Sequence, residues 1–230
     1  MSINVVDQCA VMKHDLRWLA ILILIGLAIF TFIHQAHSAT RVWLQYGWLD
    51  NAFGSSAGID QIAARAARIP GVKQVTIHRY WETQQIGNEM MAAPRGDRIV
   101  DVGYSCGANS ATTIAAGLNG HRTIELAIIQ QSQWCGGYPL GSNVPYAQET
   151  FASNCLLTLG FGCKPLAAGR GHTGRIVLIE RPDLHPLADL DPNAQADVLK
   201  VIAGTAGHRY GARYGGSRTV HVVRYSGQGL

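Results

Sequence analysis

Four residues in this chain have the chemistry and the order to cleave an acyl bond: a serine between glycines, a histidine further on, and two residues whose backbone amides could hold an oxyanion. The serine is Ser105 in Gly103-Tyr104-Ser105-Cys106-Gly107. Small residues two before and two after it let a strand reverse into a helix without collision, which lifts the serine out of the sheet. A serine hydroxyl is a weak nucleophile until a base takes its proton. His185, in Arg181-Pro182-Asp183-Leu184-His185-Pro186, follows the serine in chain order and comes shortly after an apolar strand. His172 competes, but it precedes that strand inside Gly169-Arg170-Gly171-His172 and is expected at the opposite rim or in an insertion. An oxyanion needs fixed donors. The amide of Cys106, next after the serine, and that of Trp48, after Gly47, are the candidates. The competing reading of Ser105 is an ordinary helix N-cap.

The elements that must position these residues read as alternating strands and helices. Val42 to Tyr46 is a first strand, and Ile59, Ile62, Ala63, Ala66 and Ala67 recur at helical spacing before Pro70-Gly71. Val72, Val75 and Ile77 give a second strand and Glu82 to Ala93 a helix. Ile99, Val100 and Val102 lead into the serine, and Ala108 to Leu118 forms the helix after it. Ile124 to Gln130 and Arg175 to Glu180 have the unbroken apolar character of interior parallel strands. Between them Ser132 to Gly174 reads as a long excursion over one face, in which Trp134, Tyr138, Tyr146 and Phe151 would make an apolar wall. A last helix spans about Asn193 to Ile202. The order predicts an α/β fold: a mostly parallel sheet of about five to six strands with helices on both faces. Gly47-Trp48, Ser105 and Arg181 to His185 then converge on the rim at the carboxyl ends of the strands, where ligands collect in such sheets.

The chain has 230 residues, of which 47% are hydrophobic and 15% charged, enough for one core. Residues 1–38 differ: Lys13 and Arg17 precede an uncharged run from Trp18 to Ile33, and Ala36-His37-Ser38 offers small residues for a signal peptidase. A cleaved secretory signal and an uncleaved membrane anchor both fit, and both export the domain that follows, residues 39–203. Export agrees with the cysteines. Beyond Cys9 there are Cys106, Cys135, Cys155 and Cys163, which permit three pairings. Cys155 and Cys163 bracket a Gly160-Phe161-Gly162 turn as a local staple, and Cys106 with Cys135 follows by elimination. No metal-ligand spacing occurs, and no cofactor is implied.

Residues 204–230 form a basic Gly/Arg-rich tail in which Arg209, Arg213, Arg218 and Arg224 equal the formal net charge of +4. Such a tail can follow an anionic envelope surface, and export argues against nucleic acid as its partner. Thr219 to Tyr225 within it has the β-rich character of an added edge strand.

These residues resemble the α/β-hydrolase superfamily, and within it small lipase-like exported members with a minimal cap. The resemblance spans Val42 to Ile202. It rests on Tyr46-Gly47 with Ser55-Ser56-Ala57-Gly58-Ile59-Asp60, on Gly103 to Asn109, on Asn143-Val144-Pro145 and on His185. Cutinases share the Gly-Tyr-Ser elbow and two disulfides, but the interval from serine to histidine is longer here. The resemblance implies a serine hydrolase acting on a small or lipid-like ester. It also implies an acid after a strand beyond the serine helix, and there the chain has Gln131, a neutral amide, in Gln130-Gln131-Ser132-Gln133. Asp183 could supply a carboxylate instead, two residues from His185, whereas Asp189 and Asp191 read as solvated residues near the start of the last helix. The alternative is a hydrolase-fold protein that lacks the acid and binds an envelope component without cleaving it.

Overall fold

A computed structural model describes residues 18–27, 38–48, 57–152, 165–181, 188–207 and 219–224. The chain divides into two compact units, Met1–Ser38 and Ala39–Leu230. In the first, residues 18–27 are helical and expose their apolar side chains, Leu22 and Leu24 among them. No helix among the described residues is long and apolar enough to cross a membrane.

The second unit is built on one all-parallel sheet of seven strands in the order β2-β1-β3-β4-β5-β6-β7. The strands are β1 (Thr40–Tyr46), β2 (Val72–Arg79), β3 (Arg98–Tyr104), β4 (Glu125–Ile129), β5 (Tyr146–Ala152), β6 (Arg175–Arg181) and β7 (Thr219–Arg224). The helices are α1 (Ala57–Ala66), α2 (Thr83–Ala92), α3 (Cys106–Gly117) and α4 (Pro192–Ala206). Alternation along each central strand divides the core in two. Trp43, Ile99, Leu126, Ile128, Ile176 and Leu178 pack with α2 and α3 on one face. Val42, Leu44, Val100, Val102, Ala127, Ile129, Val177 and Ile179 pack with α1 and α4 on the other. Strands covered on both faces can be apolar at every position, which is why β3 and β4 read so clearly in the sequence.

The strand order reverses between β1 and β3, so the carboxyl ends of these two strands face a crevice where no helix crosses. Ser105 and Gly47 follow those two ends directly.

Three expectations change. The sheet has seven strands, not five or six, because the excursion from Ser132 to Gly174 contains β5. That strand was hidden by Gln148 and Glu149, polar residues that are nonetheless buried. Tyr146 and Phe151 therefore belong to the sheet, Tyr146 buried and Phe151 packed against the core, and of the expected aromatic wall Trp134 and Tyr138 stand exposed. The last helix continues to Ala206, and Thr219–Arg224 pairs with β6 along its whole length as the edge strand its composition predicts.

Candidate functional site

Ser105 sits between β3 and α3 with φ 55° and ψ −121°. Among the described residues the only non-glycine residues with positive φ are Ser105 and Gln130, at the carboxyl ends of the neighbouring strands β3 and β4. Such conformations are strained and persist only where the surroundings enforce them. Here the surroundings are backbone. A Cβ on Gly103 would lie 2.5 Å from Ala108 Cα, and one on Gly107 would overlap the carbonyl oxygens of Gln45 and Tyr46. The Ser105 amide donates to the Ile129 carbonyl at 3.1 Å, and the Ser105 carbonyl accepts from Ala108 N at 3.0 Å. The serine thus holds the N-cap position of α3, yet its hydroxyl makes no capping hydrogen bond. An ordinary N-cap serine uses its oxygen for that bond in an extended conformation, so this hydroxyl is not committed to the helix.

The β1 flank comes within contact of the turn. A Cβ on Gly47 would stand 2.9 Å from Ser105 Cβ, so only glycine lets the end of β1 pass so close. Trp48 follows it, 59% exposed. Cys106 is the first residue of α3, and its N–H belongs to the amides that a helix leaves without an intrahelical acceptor. The two candidate oxyanion residues therefore lie on either side of the serine.

The β4 flank is tied by polar groups and one covalent link. Cys106 and Cys135 form the expected disulfide, with Cα atoms 5.3 Å apart. Asn109 Nδ2 donates to the carbonyls of Ser132, at 2.8 Å, and Gly136, while Ser132 N donates back to Asn109 Oδ1 at 2.9 Å. Tyr138 N donates to Thr112 Oγ1 at 3.3 Å. The loop after β4 is thereby fastened to the first two turns of α3.

Gln131 is buried in that loop. Its backbone N–H donates to Glu149 Oε1 at 3.1 Å, and its side-chain amide packs beside Gly137, Thr112 and Asn109. Sequence reasoning missed Glu149. This fully buried β5 carboxyl also accepts from Leu166 N at 2.6 Å, so one side chain holds both the loop leaving β4 and the segment that leads towards β6. Burial pushes its pKa up to about 7 against the opposing pull of those two backbone bonds. Tyr, Thr and Phe after Pro145 were a strand signal for this stretch; the partners of Glu149 had none. Asp101, on β3 beneath the serine turn, was missed too. It is fully buried, accepts from Gln45 Nε2 at 2.8 Å, and is likewise pushed up to about 7 by burial.

His185 and Asp183 lie outside the described residues, as do Cys155, Cys163, Ala36, His37, Ser55, Ser56, Arg209, Arg213 and Arg218. Among the described residues the buried histidines are His78 and His172. The ring nitrogens of His78 face Glu82 at 3.3 Å and Glu89 at 3.1 Å. His172 Nδ1 meets the Gly141 carbonyl at 2.9 Å before β6 begins, so it serves the amino end of the sheet, as its place ahead of the strand implied. Neither is poised at Ser105. At the other end of β6, Arg181 pairs with Asp197 at 2.7 Å. Asp191 does cap α4, accepting from Asn193 N at 3.0 Å and Ala194 N at 3.2 Å. Asp189 is not solvated as expected: it is fully buried against Gly58 at the start of α1, in a single 3-10 turn, Ala188–Leu190. Among the described residues no cluster of histidine, cysteine and carboxylate side chains could hold a metal ion.

Fold and site together define an α/β protein with a strained, uncapping serine at the topological switch point of a parallel sheet. No protein-family model, curated protein or solved structure matches the chain.

Proposed function

We propose that the protein is an exported serine hydrolase, of the α/β-hydrolase kind, that cleaves a carboxylic ester of a small or lipid-like substrate. Ser105 Oγ attacks the carbonyl carbon while His185 takes the hydroxyl proton, and the amides of Cys106 and Trp48 hold the oxyanion. His185 then gives that proton to the departing alkoxide. A water, deprotonated by the same imidazole, attacks the acyl-enzyme and frees the acid and Ser105. Gln131 takes the place of the acid, and Glu149 fixes its backbone. The observation that carries the reading is the conformation of Ser105: strain at a non-glycine residue, enforced by Gly103 and Gly107, with a hydroxyl kept out of the helix cap. Exposed Trp134 and Tyr138, on the loop that the disulfide holds against α3, favour an apolar acyl group. The basic tail would hold the exported enzyme at an anionic envelope surface.

One observation favours the non-catalytic alternative: Gln131 can orient an imidazole but brings no charge to stabilise its protonated form. A fluorophosphonate probe separates the two. Stoichiometric labelling of Ser105, absent in Ser105→Ala and in His185→Ala, is the expected result. A folded protein that takes up no probe would overturn the hydrolase reading and leave the binding protein.

A further inference from the structure

The opposite end of the sheet carries a second feature. Two turns meet there: Pro94-Arg95-Gly96-Asp97 before β3, and Gly120-His121-Arg122-Thr123 before β4. They enclose a recess of about 420 Å3 lined by Met91, Arg95, Asp97, His121, Arg122 and Thr123, with Gly120 at its edge. Arg122 is the side chain that stands out. It is only 9% exposed, between two exposed neighbours, and its guanidinium donates from Nη2 to the Pro94 carbonyl at 3.1 Å. A guanidinium has five N–H donors.

Charge around it is unbalanced. Arg95 and Arg41 act on Arg122 as like charges, and Asp97 is the opposite charge that acts on it. Asp97 is already engaged elsewhere, accepting from Arg41 Nε at 2.5 Å and from Ala39 N at 3.1 Å. Burial and the neighbouring guanidiniums Arg95 and Arg41 push the Arg122 pKa down, with Asp97 opposing them. Two guanidiniums, Arg95 and Arg122, thus line with Asp97 a cavity open to solvent, and since that carboxylate is already paired with Arg41, an anion in the cavity would neutralise the excess.

We propose that this recess binds a phosphoryl anion, with Arg122 at its floor and Arg95 at its wall as donors. Planar guanidiniums in a partly dry recess favour tetrahedral oxyanions that accept paired hydrogen bonds over a monatomic halide. The volume suits a phosphate with a small substituent. The site lies at the far end of β3 from Ser105, seven residues of strand away, or about 20 Å. Its occupancy is therefore independent of the hydrolase reading, and so is its test.

Two probes applied to the full chain distinguish a soluble from a lipid source: inorganic phosphate in a calorimetric titration, and sedimentation with vesicles of phosphatidylglycerol against phosphatidylcholine at low salt. Saturable binding of phosphate with vesicle binding unchanged in the variants assigns a soluble phosphoryl ligand. Preferential sedimentation with phosphatidylglycerol that the variants lose assigns a lipid headgroup. In either case Arg95→Gln, an exposed position, should weaken binding about fivefold and Arg122→Met at least tenfold, with the thermal midpoint of Arg95→Gln unchanged. Binding that is the same in Arg95→Gln as in the native chain, or no binding of either probe, would overturn the proposal. Arg95→Gln keeps the test decisive even if Arg122→Met does not fold.

Discussion

The two flanks of the serine turn are held by opposite means. On the β1 side the constraint is missing side chains: Gly107 and Gly47 bring Gln45, Tyr46 and Ser105 closer together than any Cβ would allow. On the β4 and β5 side the constraint is side chains that are present, Glu149 and Asn109, whose oxygens and amide reach backbone groups of distant segments. Steric closeness cannot be relaxed by degrees, because packed backbone has no other place to go. A polar network can lose one member and keep the rest, at a cost set by the groups left without partners. The first flank should therefore fail abruptly under substitution, and the second by increments.

The largest effect is expected at Gly107. In Gly107→Ala the new methyl overlaps two carbonyl oxygens of β1, and a loss of at least about 4 kcal/mol is expected, with the serine turn displaced. Gly87→Ala is the matched control. It lies inside α2 with nothing within 4 Å of an added Cβ, so a gain of about 0.5–1 kcal/mol should follow from helix propensity alone. Urea titration of both reads the comparison directly, and equal stabilities would show that the β1 flank is not sterically closed.

Glu149→Leu tests the other flank. At pH 5, below the raised pKa, the native carboxyl holds its proton, so the substitution removes acceptors and no charge. The N–H groups of Gln131 and Leu166 lose their acceptor, and a loss of about 3 kcal/mol is expected. Amide exchange at these two positions should accelerate more than at Ser105, whose N–H bonds to Ile129. Uniform acceleration across all three would mean that Glu149 supports the whole core and not that flank.

The same contrast explains what could be read from the sequence. Glycines at fixed offsets around Ser105 announce a close approach, because the missing side chain is the whole of the signal. The apolar runs of β3 and β4 were legible for similarly local reasons, whereas the Cys106–Cys135 link, 29 residues apart, followed only by elimination. Glu149 was not. Its partners lie 17 and 18 residues away, and a glutamate in the middle of β5 reads as a solvated loop until those partners are known. Asp189 and Asp191 show how little residue type decides alone. Two aspartates two residues apart differ completely, since Asp191 meets the first amides of α4 and Asp189 is buried against Gly58.

Apart from the Gly87→Ala control, the smallest expected effect is a gain, and it sharpens the comparison at the base of the β1 flank. Asp101 and Gln45 face each other in the core, where Gln45 Nε2 donates to Asp101 Oδ1 while Gln45 Oε1 and Asp101 Oδ2 have no hydrogen-bond partner. Burial without a charged partner favours the neutral carboxyl, against the pull of the hydrogen bonds from Gln45 and from the Val102 amide. Burial holds the folded pKa near 7, against about 3.9 for an ordinary aspartate. Between those values the folded state binds a proton that the unfolded state has released, so stability falls as pH rises from about 4 to about 7 and is lowest above it. Asp101→Asn presents a permanent N–H in place of that proton. It should leave stability nearly unchanged at pH 4 and raise it by about 2 kcal/mol at pH 8, about half the limit that the raised pKa sets. Thermal midpoints taken across this range test the sign: a variant weaker than the native chain at pH 8 would mean that the ionised carboxylate is itself stabilised by its surroundings and that the β1 flank, like its neighbour, depends on a carboxyl group.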